Sequence, residues 1–351
     1  MKRFDYIRPD SIDAALAAWT PGAAWLGGGT NLVDLMKTGA LQPETVIDVT
    51  RLPGLDRIEA APDGALRIGA MVRNADLAAD PEVARRVPMV VEALLAGASG
   101  QLRNAATVGG NLMQHTRCPY FETPQAACNR RDPDTGCDAR EGENANLAVL
   151  GWSEACIATN PSDFCVPLAA LEAVVEVQGP VGRRDIAIAE FHRLPGDTPE
   201  RRTALEPGEL ILAIRIPAAA AAYAGHARYL KVRERTSYAF ALVSAAAGLR
   251  LEGDRIVDAR LALGAVAAKP WRVSEAEALL VGQAPDAALF ARAAEAALSG
   301  AAPSGDNAWK IDLARRTAAR ALSMAAAGTP ARMPALPASP FAEPAGDPVH
   351  A

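Results

Sequence analysis

Along the first part of the chain, hydrophobic positions recur with two periodicities, one typical of helices and one typical of strands. The stretch SIDAALAAW (residues 11–19) has helical spacing behind a Ser that predicts an N-cap. AAWLGGGTNLVDLMKTG (residues 23–39) predicts a strand, a glycine turn, a helix and a Gly stop. TVIDVT (residues 45–50) reads as a short strand, and ALRIGAMVRNADLAAD (residues 65–80) as a strand followed by a helix start. The chain therefore begins as an α/β unit.

The pattern breaks and then resumes in the last third of the chain. Pro and Ala over residues 217–222 predict a linker, and residues 227–272 predict strands with a hairpin turn near Gly253. Helical spacing follows in three stretches, 274–282, 286–299 and 307–327. From Gly328 the tail is rich in Pro and has little periodicity, so we expect it to be disordered. A second α/β domain is therefore expected before the tail.

Composition narrows the class of protein. A length of 351 residues predicts about two domains. The net charge is −5, with Lys and Arg spread along the chain, which disfavours a nucleic-acid or polybasic membrane surface. The N-terminus has no apolar region of the secretory type, and no apolar run reaches the length of a membrane-spanning helix. These features predict a soluble protein without an export signal of its own.

Two glycine-rich turns are candidates for binding phosphate. LGGGTN (residues 26–31) lies between a predicted strand and helix, and TVGGN (residues 107–111) follows about eighty residues later. Glycine lets the backbone approach an anion, and the amides of such a turn favour negative charge. Neither turn is a Walker A loop, and a Rossmann fingerprint would need Gly where Leu32 stands. Ordinary tight turns and a dinucleotide site between the two loops both remain open on this pattern.

All five cysteines fall within residues 118–165, mostly in a polar segment rich in Pro, Gly, Arg and Asp. An odd number of thiols argues against a complete disulfide framework. The intervals match neither paired zinc-finger cysteines nor the bacterial ferredoxin run. A long loop without apolar residues for a core is uncommon unless something orders it, so zinc, an iron–sulfur cluster and ordinary loop thiols all stay open. Cys165, in an apolar helix start, is expected to be an inert core residue.

Taken together, these features resemble the FAD-binding subunit of the molybdenum hydroxylases, the xanthine dehydrogenase and aldehyde oxidoreductase family. The resemblance runs from about Phe4 to Ala325. It rests on five motifs in order: LGGGTNL, IGAMVRNADL, NAATVGGNL, ATNPSD and YLKVRERTSYAFALVSAA. The cysteine segment looks like the insertion that carries a [4Fe–4S] cluster beside the flavin in periplasmic-type aldehyde oxidoreductases. A comparable insertion occurs in the 4-hydroxybenzoyl-CoA reductase flavoprotein subunit.

The resemblance implies an α/β (α+β) architecture of the vanillyl-alcohol-oxidase-like FAD-binding type. Two subdomains would form the FAD-binding domain, residues 1–217, with the cysteine-bearing insertion at about 114–157. A C-terminal α/β domain would cover residues 223–327, and residues 328–351 would form the disordered tail. Substrate chemistry in such a complex occurs in a partner subunit, so no catalytic residue is expected in this chain.

The same resemblance assigns the site residues. Thirteen positions would bind FAD: Leu26, Gly27, Gly28, Gly29, Thr30, Asn31, Leu32, Thr107, Gly109, Gly110, Asn111, Asp163 and Lys231. The first loop would hold the pyrophosphate and the second would face it. Asp163 would meet the cofactor's hydroxyls, and Lys231 would lie close to the flavin ring. The cluster ligands would be Cys118, Cys128, Cys137 and Cys156, whereas Cys165 has no counterpart.

The implied function is electron transfer inside a heterotrimer. Electrons would come from a molybdenum-cofactor large subunit through a small subunit with two [2Fe–2S] clusters, and would leave through FAD to an external acceptor. The protein would be periplasmic if co-exported with a signal-bearing partner, and otherwise cytoplasmic. Two alternatives stay open: a stand-alone FAD oxidase or reductase with a structural zinc loop, and a non-enzymatic docking scaffold.

Overall fold

A small parallel sheet opens the chain in the computed structural model of this protein, which describes residues 1–331. Its strands pair in the order β1-β3-β2. The elements are β1 (Asp5–Ile7), α1 (Ile12–Ala18), β2 (Ala23–Leu26), α2 (Leu32–Thr38) and β3 (Thr45–Asp48). The predicted N-cap is confirmed, since the Ser11 hydroxyl accepts a hydrogen bond from the Ala14 amide. The predicted Gly stop is confirmed as well, because Gly39 caps α2 with a φ of 82°.

A five-stranded antiparallel sheet follows, with the order β4-β5-β8-β6-β7. Its strands are β4 (Ile58–Ala60), β5 (Leu66–Gly69), β6 (Val174–Gly179), β7 (Gly182–Ala187) and β8 (Leu210–Ile216). Short helices connect and cover them: α3 (Asn74–Ala79), α4 (Pro81–Arg86), α5 (Pro88–Ala96), α6 (Gly100–Ala105), α7 (Val108–Leu112), α8 (Pro119–Glu122), α9 (Cys165–Ala170) and α10 (Ile188–Phe191). One continuous hydrophobic core joins the sheet to α3, α4, α5, α7, α9 and α10.

The cysteine segment has a small core of its own, which its polar composition does not suggest. Phe121 and Ile157 are 1% and 0% exposed, and they pack with Leu147 against Leu35 of α2. The segment contains α8 and a short 3₁₀ helix, Asp138–Arg140. The expectation that this loop cannot build a core is therefore wrong, because apolar residues far apart in the sequence meet on α2.

An antiparallel sheet of four strands forms the C-terminal part, in the order β12-β11-β10-β9. The strands are β9 (Ala227–Val232), β10 (Val243–Glu252), β11 (Arg255–Gly264) and β12 (Trp271–Arg272), and the helices are α11 (Ser274–Ala278), α12 (Ala287–Ala297) and α13 (Ala308–Ala326). Gly253, with a φ of 61°, makes the predicted hairpin turn between β10 and β11. Buried alanines spaced along one face of α13 let this helix pack closely on the sheet.

The predicted linker is a packed connection. A 3₁₀ helix spans Ala218–His226, and its Tyr223 side chain is buried while the hydroxyl donates to Asp258 at 2.5 Å. Thr329, in the predicted tail, exchanges hydrogen bonds with the backbone of Ala227. The rest of that tail, residues 332–351, lies outside the described residues. Among residues 1–331, no helix is both long enough and apolar enough to cross a membrane.

Candidate functional site

The two glycine loops touch each other. A Cβ built on Gly28 would lie 1.9 Å from the carbonyl oxygen of Ala105, and one on Gly27 would lie 2.7 Å from Oγ1 of Thr107. Neither position tolerates a side chain without movement of the opposite loop. These two glycines are therefore required by the contact between the loops. The sequence pattern suggested a different reason, that glycine lets the backbone approach a phosphate, and it also left ordinary tight turns open.

A deep cleft of about 880 Å³ opens beside the joined loops. Six of the thirteen predicted cofactor residues line it: Thr30, Asn31, Gly110, Asn111, Asp163 and Lys231. The other seven do not line it and belong to the loops and their flanks: Leu26, Gly27, Gly28, Gly29, Leu32, Thr107 and Gly109. The cleft thus collects residues from four separate stretches of sequence, and its size is in the range of cofactor pockets.

Two asparagines from the loops are oriented by hydrogen bonds at the base of the cleft. Oδ1 of Asn31 accepts from the amide of His115 at 2.8 Å, and Oδ1 of Asn111 accepts from the Ser162 hydroxyl at 2.7 Å. Nδ2 of Asn31 is buried without a hydrogen-bond partner within residues 1–331. Oδ1 of Asn74, which also lines the cleft, is likewise buried without a hydrogen-bond partner within residues 1–331. Buried polar atoms of this kind call for a ligand or water.

A buried pair joins the two predicted residues from the later motifs. Nζ of Lys231 donates to Oδ2 of Asp163 at 2.8 Å, and their side chains are 3% and 10% exposed. The hydroxyl of Tyr229 donates to Oδ1 of the same carboxylate at 2.5 Å. Burial, and then the neighbouring Asp163, raise the pKa of Tyr229 well above its usual value, so the phenol keeps its proton. The carboxylate therefore faces the cleft already held by two donors.

Sequence reasoning missed Tyr229. Its signal was present, because alternate residues of a strand share one face and Tyr229 precedes Lys231 by two positions on β9. The pairing also changes the expected role of Lys231, whose charge is largely balanced by Asp163. Lys231 additionally donates to the carbonyl of Ala96 at 3.2 Å, which fixes its position at the cleft wall.

These residues fit a dinucleotide such as FAD. The cleft has the volume, two oriented amide side chains, unpartnered polar atoms and the hydroxyl of Thr30. The N-terminus of α7 also opens on it at Gly110, whose amide is capped by Thr107 at 3.2 Å. Hydroxyl and amide groups of this kind bind the phosphates and hydroxyls of a nucleotide.

Four of the five thiols line a second, much smaller cavity: Cys118, Cys128, Cys137 and Cys156. Cys137 is half-buried and the other three are buried. Cys165 lies apart from them, fully buried at the start of α9, which packs on the four-stranded C-terminal sheet, and burial raises the pKa of its thiol to about 12. The structure thus brings together the four predicted ligands and leaves out the thiol expected to be inert.

Backbone amides point at the thiols of this cavity. Amides of Tyr120 and Phe121 are directed at Cys118, those of Arg130 and Arg131 at Cys128, and those of Ala139 and Ile157 at Cys137. Each of these contacts favours a thiolate, although burial raises the pKa of Cys118 to about 12. A bound cation is the usual means of keeping such a buried thiol ionised.

The spacing of the four thiols bears on which cation fits. Within residues 1–331, no three side chains of His, Cys, Asp or Glu are grouped closely enough to hold a single metal ion. Four thiolates are the donor set of a cubane iron–sulfur cluster. The open space between them is narrow, about 10 Å³, so closure of the sulfur atoms around a cluster requires side-chain rotation.

The two sites adjoin. Arg117 and Pro119 line the cleft, and Cys118 between them lines the cysteine cavity. Successive Cα atoms are about 3.8 Å apart, so one residue of chain separates the two walls. The aromatic ring of Phe121, which also faces the cavity, stacks on His115 with ring centroids 5.2 Å apart. Groups bound in the two sites would therefore be close neighbours.

Comparison with known proteins agrees with an FAD site in this chain. The family described as FAD binding domain in molybdopterin dehydrogenase matches residues 2–219. The CO dehydrogenase flavoprotein C-terminal domain matches residues 228–325. The aldehyde oxidoreductase FAD-binding subunit PaoB of Escherichia coli K12 is 50% identical over 332 residues, which cover 93% of this chain and 99% of the relative. The carbon monoxide dehydrogenase medium chain of Afipia carboxidovorans is 29% identical over 86% of this chain and 88% of its own length.

Solved structures give the same result for the fold. Carbon monoxide dehydrogenase from Oligotropha carboxidovorans matches with a TM-score of 0.74 and 28% identity, over 93% of this chain and 99% of the other. Quinoline 2-oxidoreductase from Pseudomonas putida 86 matches with a TM-score of 0.71 and 27% identity, over the same shares of the two chains. The expected mixed α/β class, an FAD-binding domain followed by a C-terminal domain, is confirmed.

Proposed function

Because the chain belongs to the molybdenum hydroxylase family as an FAD-binding subunit of an oxidoreductase, we propose that it carries both FAD and a [4Fe–4S] cluster in an aldehyde oxidoreductase. One observation carries the proposal. Cys118 brings a cavity lined by four thiols against the wall of the nucleotide-sized cleft. An electron carrier in each site would be close enough for direct transfer between them.

The cluster assignment rests on the donor set. Cys118, Cys128, Cys137 and Cys156 supply the four thiolates that a [4Fe–4S] cluster requires. Six backbone amides directed at three of these thiols would lower the negative charge on the sulfur atoms. The zinc alternative has less support, since the described thiols are not grouped as single-ion ligands.

At the cleft, the chain's own residues bind and orient the cofactor. Thr30 and Asn31 present a hydroxyl and an unpartnered side-chain amide for the pyrophosphate, and Gly110 and Asn111 line the same cleft. Asp163, held by Lys231 and Tyr229, presents a fixed acceptor to the hydroxyls of the cofactor. When bound, FAD accepts and releases two electrons, whereas an iron–sulfur cluster carries one at a time.

The partners follow from the same proposal. The substrate would be oxidised at a molybdenum-cofactor large subunit, and a small subunit with two [2Fe–2S] clusters would deliver the electrons to this chain. The relative with 50% identity is an aldehyde oxidoreductase subunit, which favours an aldehyde as the substrate of the complex. FAD would pass the electrons to an external acceptor. The compartment would be that of the assembled heterotrimer, periplasmic where a partner carries the export signal.

The test is quantitation of iron, zinc and flavin on the purified chain, together with its visible spectrum. We expect about four irons and one FAD per chain. Zinc in place of iron, with FAD present, would overturn the cluster and leave the flavin site. Absence of flavin would overturn the assignment of the cleft.

A further inference from the structure

One arginine on the wall of the cysteine cavity has no partner for its charge among residues 1–331. Arg130 is 9% exposed and lies two residues after Cys128. Its Nε and Nη2 atoms are buried and have no hydrogen-bond partner within the described part of the chain. No carboxylate of residues 1–331 forms an ion pair with it. A buried unpaired guanidinium is costly, so this position calls for an anionic neighbour.

The adjacent arginine shows the contrast. Arg131 donates to the carbonyls of Tyr120 and Phe121 at 2.9 Å and to further carbonyls of the same turn, and it pairs with Asp132 at 2.8 Å. Arg131 therefore has a structural task that its contacts account for. Arg130 has none of these contacts, and it lines the cavity of the four thiols.

The surroundings of Arg130 add to the positive charge. Arg202 lies close by and donates to the carbonyl of Met113 at 2.8 Å. Burial, and then the charge of Arg130, lower the pKa of Arg202 to about 9. Burial lowers the pKa of His115 well below its usual value, and Arg202, Arg130 and Arg117 lower it further. Arginines thus gather beside the cysteine cavity, and of these Arg117 pairs with Glu122 at 3.5 Å.

A thiolate-bound cluster would supply the missing negative charge. Four thiolates outweigh the positive charge of a [4Fe–4S] core, and reduction by one electron makes the site more negative by one unit without forming or breaking a bond. A fixed cation in a buried setting stabilises the more negative state preferentially. We propose that Arg130 sets the reduction potential of the cluster by raising it, an inference that rests on the proposed [4Fe–4S] site.

The test is a redox titration of the full chain followed by electron paramagnetic resonance. Arg130→Met should lower the equilibrium constant for one-electron reduction of the cluster about tenfold. For a one-electron couple, this change is a reduction potential lower by about 59 mV. Arg130→Lys keeps the charge and should stay much closer to the wild type. Arg140→Met is the matched control, because Arg140 lies in the same segment but is paired with Glu154 at 2.8 Å and does not line the cavity. It should leave the potential unchanged.

Each outcome decides the proposal. An iron-replete Arg130→Met protein with the wild-type potential would overturn it. Arg130→Met could lose its iron. In that case, an Arg130→Lys protein with wild-type iron content and reduction potential would support a role for the charge. Loss of iron from both variants would overturn the proposal in favour of a packing role for Arg130. A wild-type chain without iron would reject the proposed cluster itself, which is a separate result.

Discussion

The cleft and the cysteine cavity differ in how their buried charges are paired. In the cleft, Asp163 is held by Lys231 and Tyr229 at 2.8 and 2.5 Å, so charges of the protein balance one another. In the cavity, Arg130 has no counter-charge among the described residues, and the thiols of Cys118 and Cys128 are buried. The charged pair of the cleft is thus pre-organised by the fold, whereas the described residues leave the charge of Arg130 unbalanced at the cavity.

The largest effect is expected from removal of a thiol. Cys128→Ser should reduce iron from about four per chain to nearly none, because one cluster needs all four thiolates, and should leave one FAD bound. Metal and flavin analysis measures both. Cys165→Ala is the matched control, since Cys165 lies outside the cavity and should leave the iron content intact. Equal iron in wild type and Cys128→Ser would remove Cys128 from the ligand set.

The next largest effect concerns the pair in the cleft. Asp163→Asn leaves the buried ammonium of Lys231 without its carboxylate and should lower the free energy of unfolding by about 4 kcal/mol, with loss of flavin. Urea unfolding and flavin absorbance measure the two effects. Asp312→Asn removes a carboxylate from an exposed ion pair with Arg316 and should leave the urea midpoint unchanged. Similar midpoints for both variants would show that the Asp163 pair is not a pre-organised part of the cleft.

Contact between the two glycine loops predicts a third effect. Gly28→Ala places a Cβ against the carbonyl of Ala105 and should lower the free energy of unfolding by about 3 kcal/mol through overpacking. Gly100→Ala is the control, because a Cβ there meets nothing within 4 Å. Thermal unfolding compares the two variants. If Gly28→Ala reduces flavin occupancy without a loss of stability, the glycine serves the ligand and not the loop contact.

The smallest effect is a dependence on pH. Burial lowers the pKa of His192 to about 4, and its Nε2 lies 2.9 Å from the carbonyl of Leu112 at the end of α7. The unfolded chain takes up this proton near pH 6.5, so the free energy of unfolding is intact above pH 6.5 and falls as the pH drops toward 4. At pH 5 the loss from this group should be about 2 kcal/mol.

The check is unfolding of the wild type and His192→Gln between pH 7 and 5. The variant lacks the titrating group, so the free energy of unfolding should depend less steeply on pH. Parallel curves for the two proteins would show that His192 does not cause the dependence. His115, which also has a lowered pKa, accounts for the slope that should remain in the variant.

Local patterns predicted the elements near the site well. Ser11 and Gly39 act on neighbouring residues, so the ends of α1 and α2 could be read from the sequence. Alternation within β9 was sufficient to put Tyr229 beside Lys231, yet the partner of Tyr229 stands 66 residues earlier. Such a pairing depends on how the C-terminal sheet packs against α5 and α9, which no short window contains.

The order of the motifs and the five cysteines determined the family, the FAD-binding domain and the choice of four thiols over Cys165. Only the tertiary structure decided that Gly27 and Gly28 serve the contact between the loops, that Asp163 balances Lys231, and that Arg130 lines the thiol cavity without an ion-pair partner among the described residues. The reason is physical. Caps, turns and strand alternation act over a few residues, whereas the balance of buried charge depends on groups that meet only when distant segments pack together.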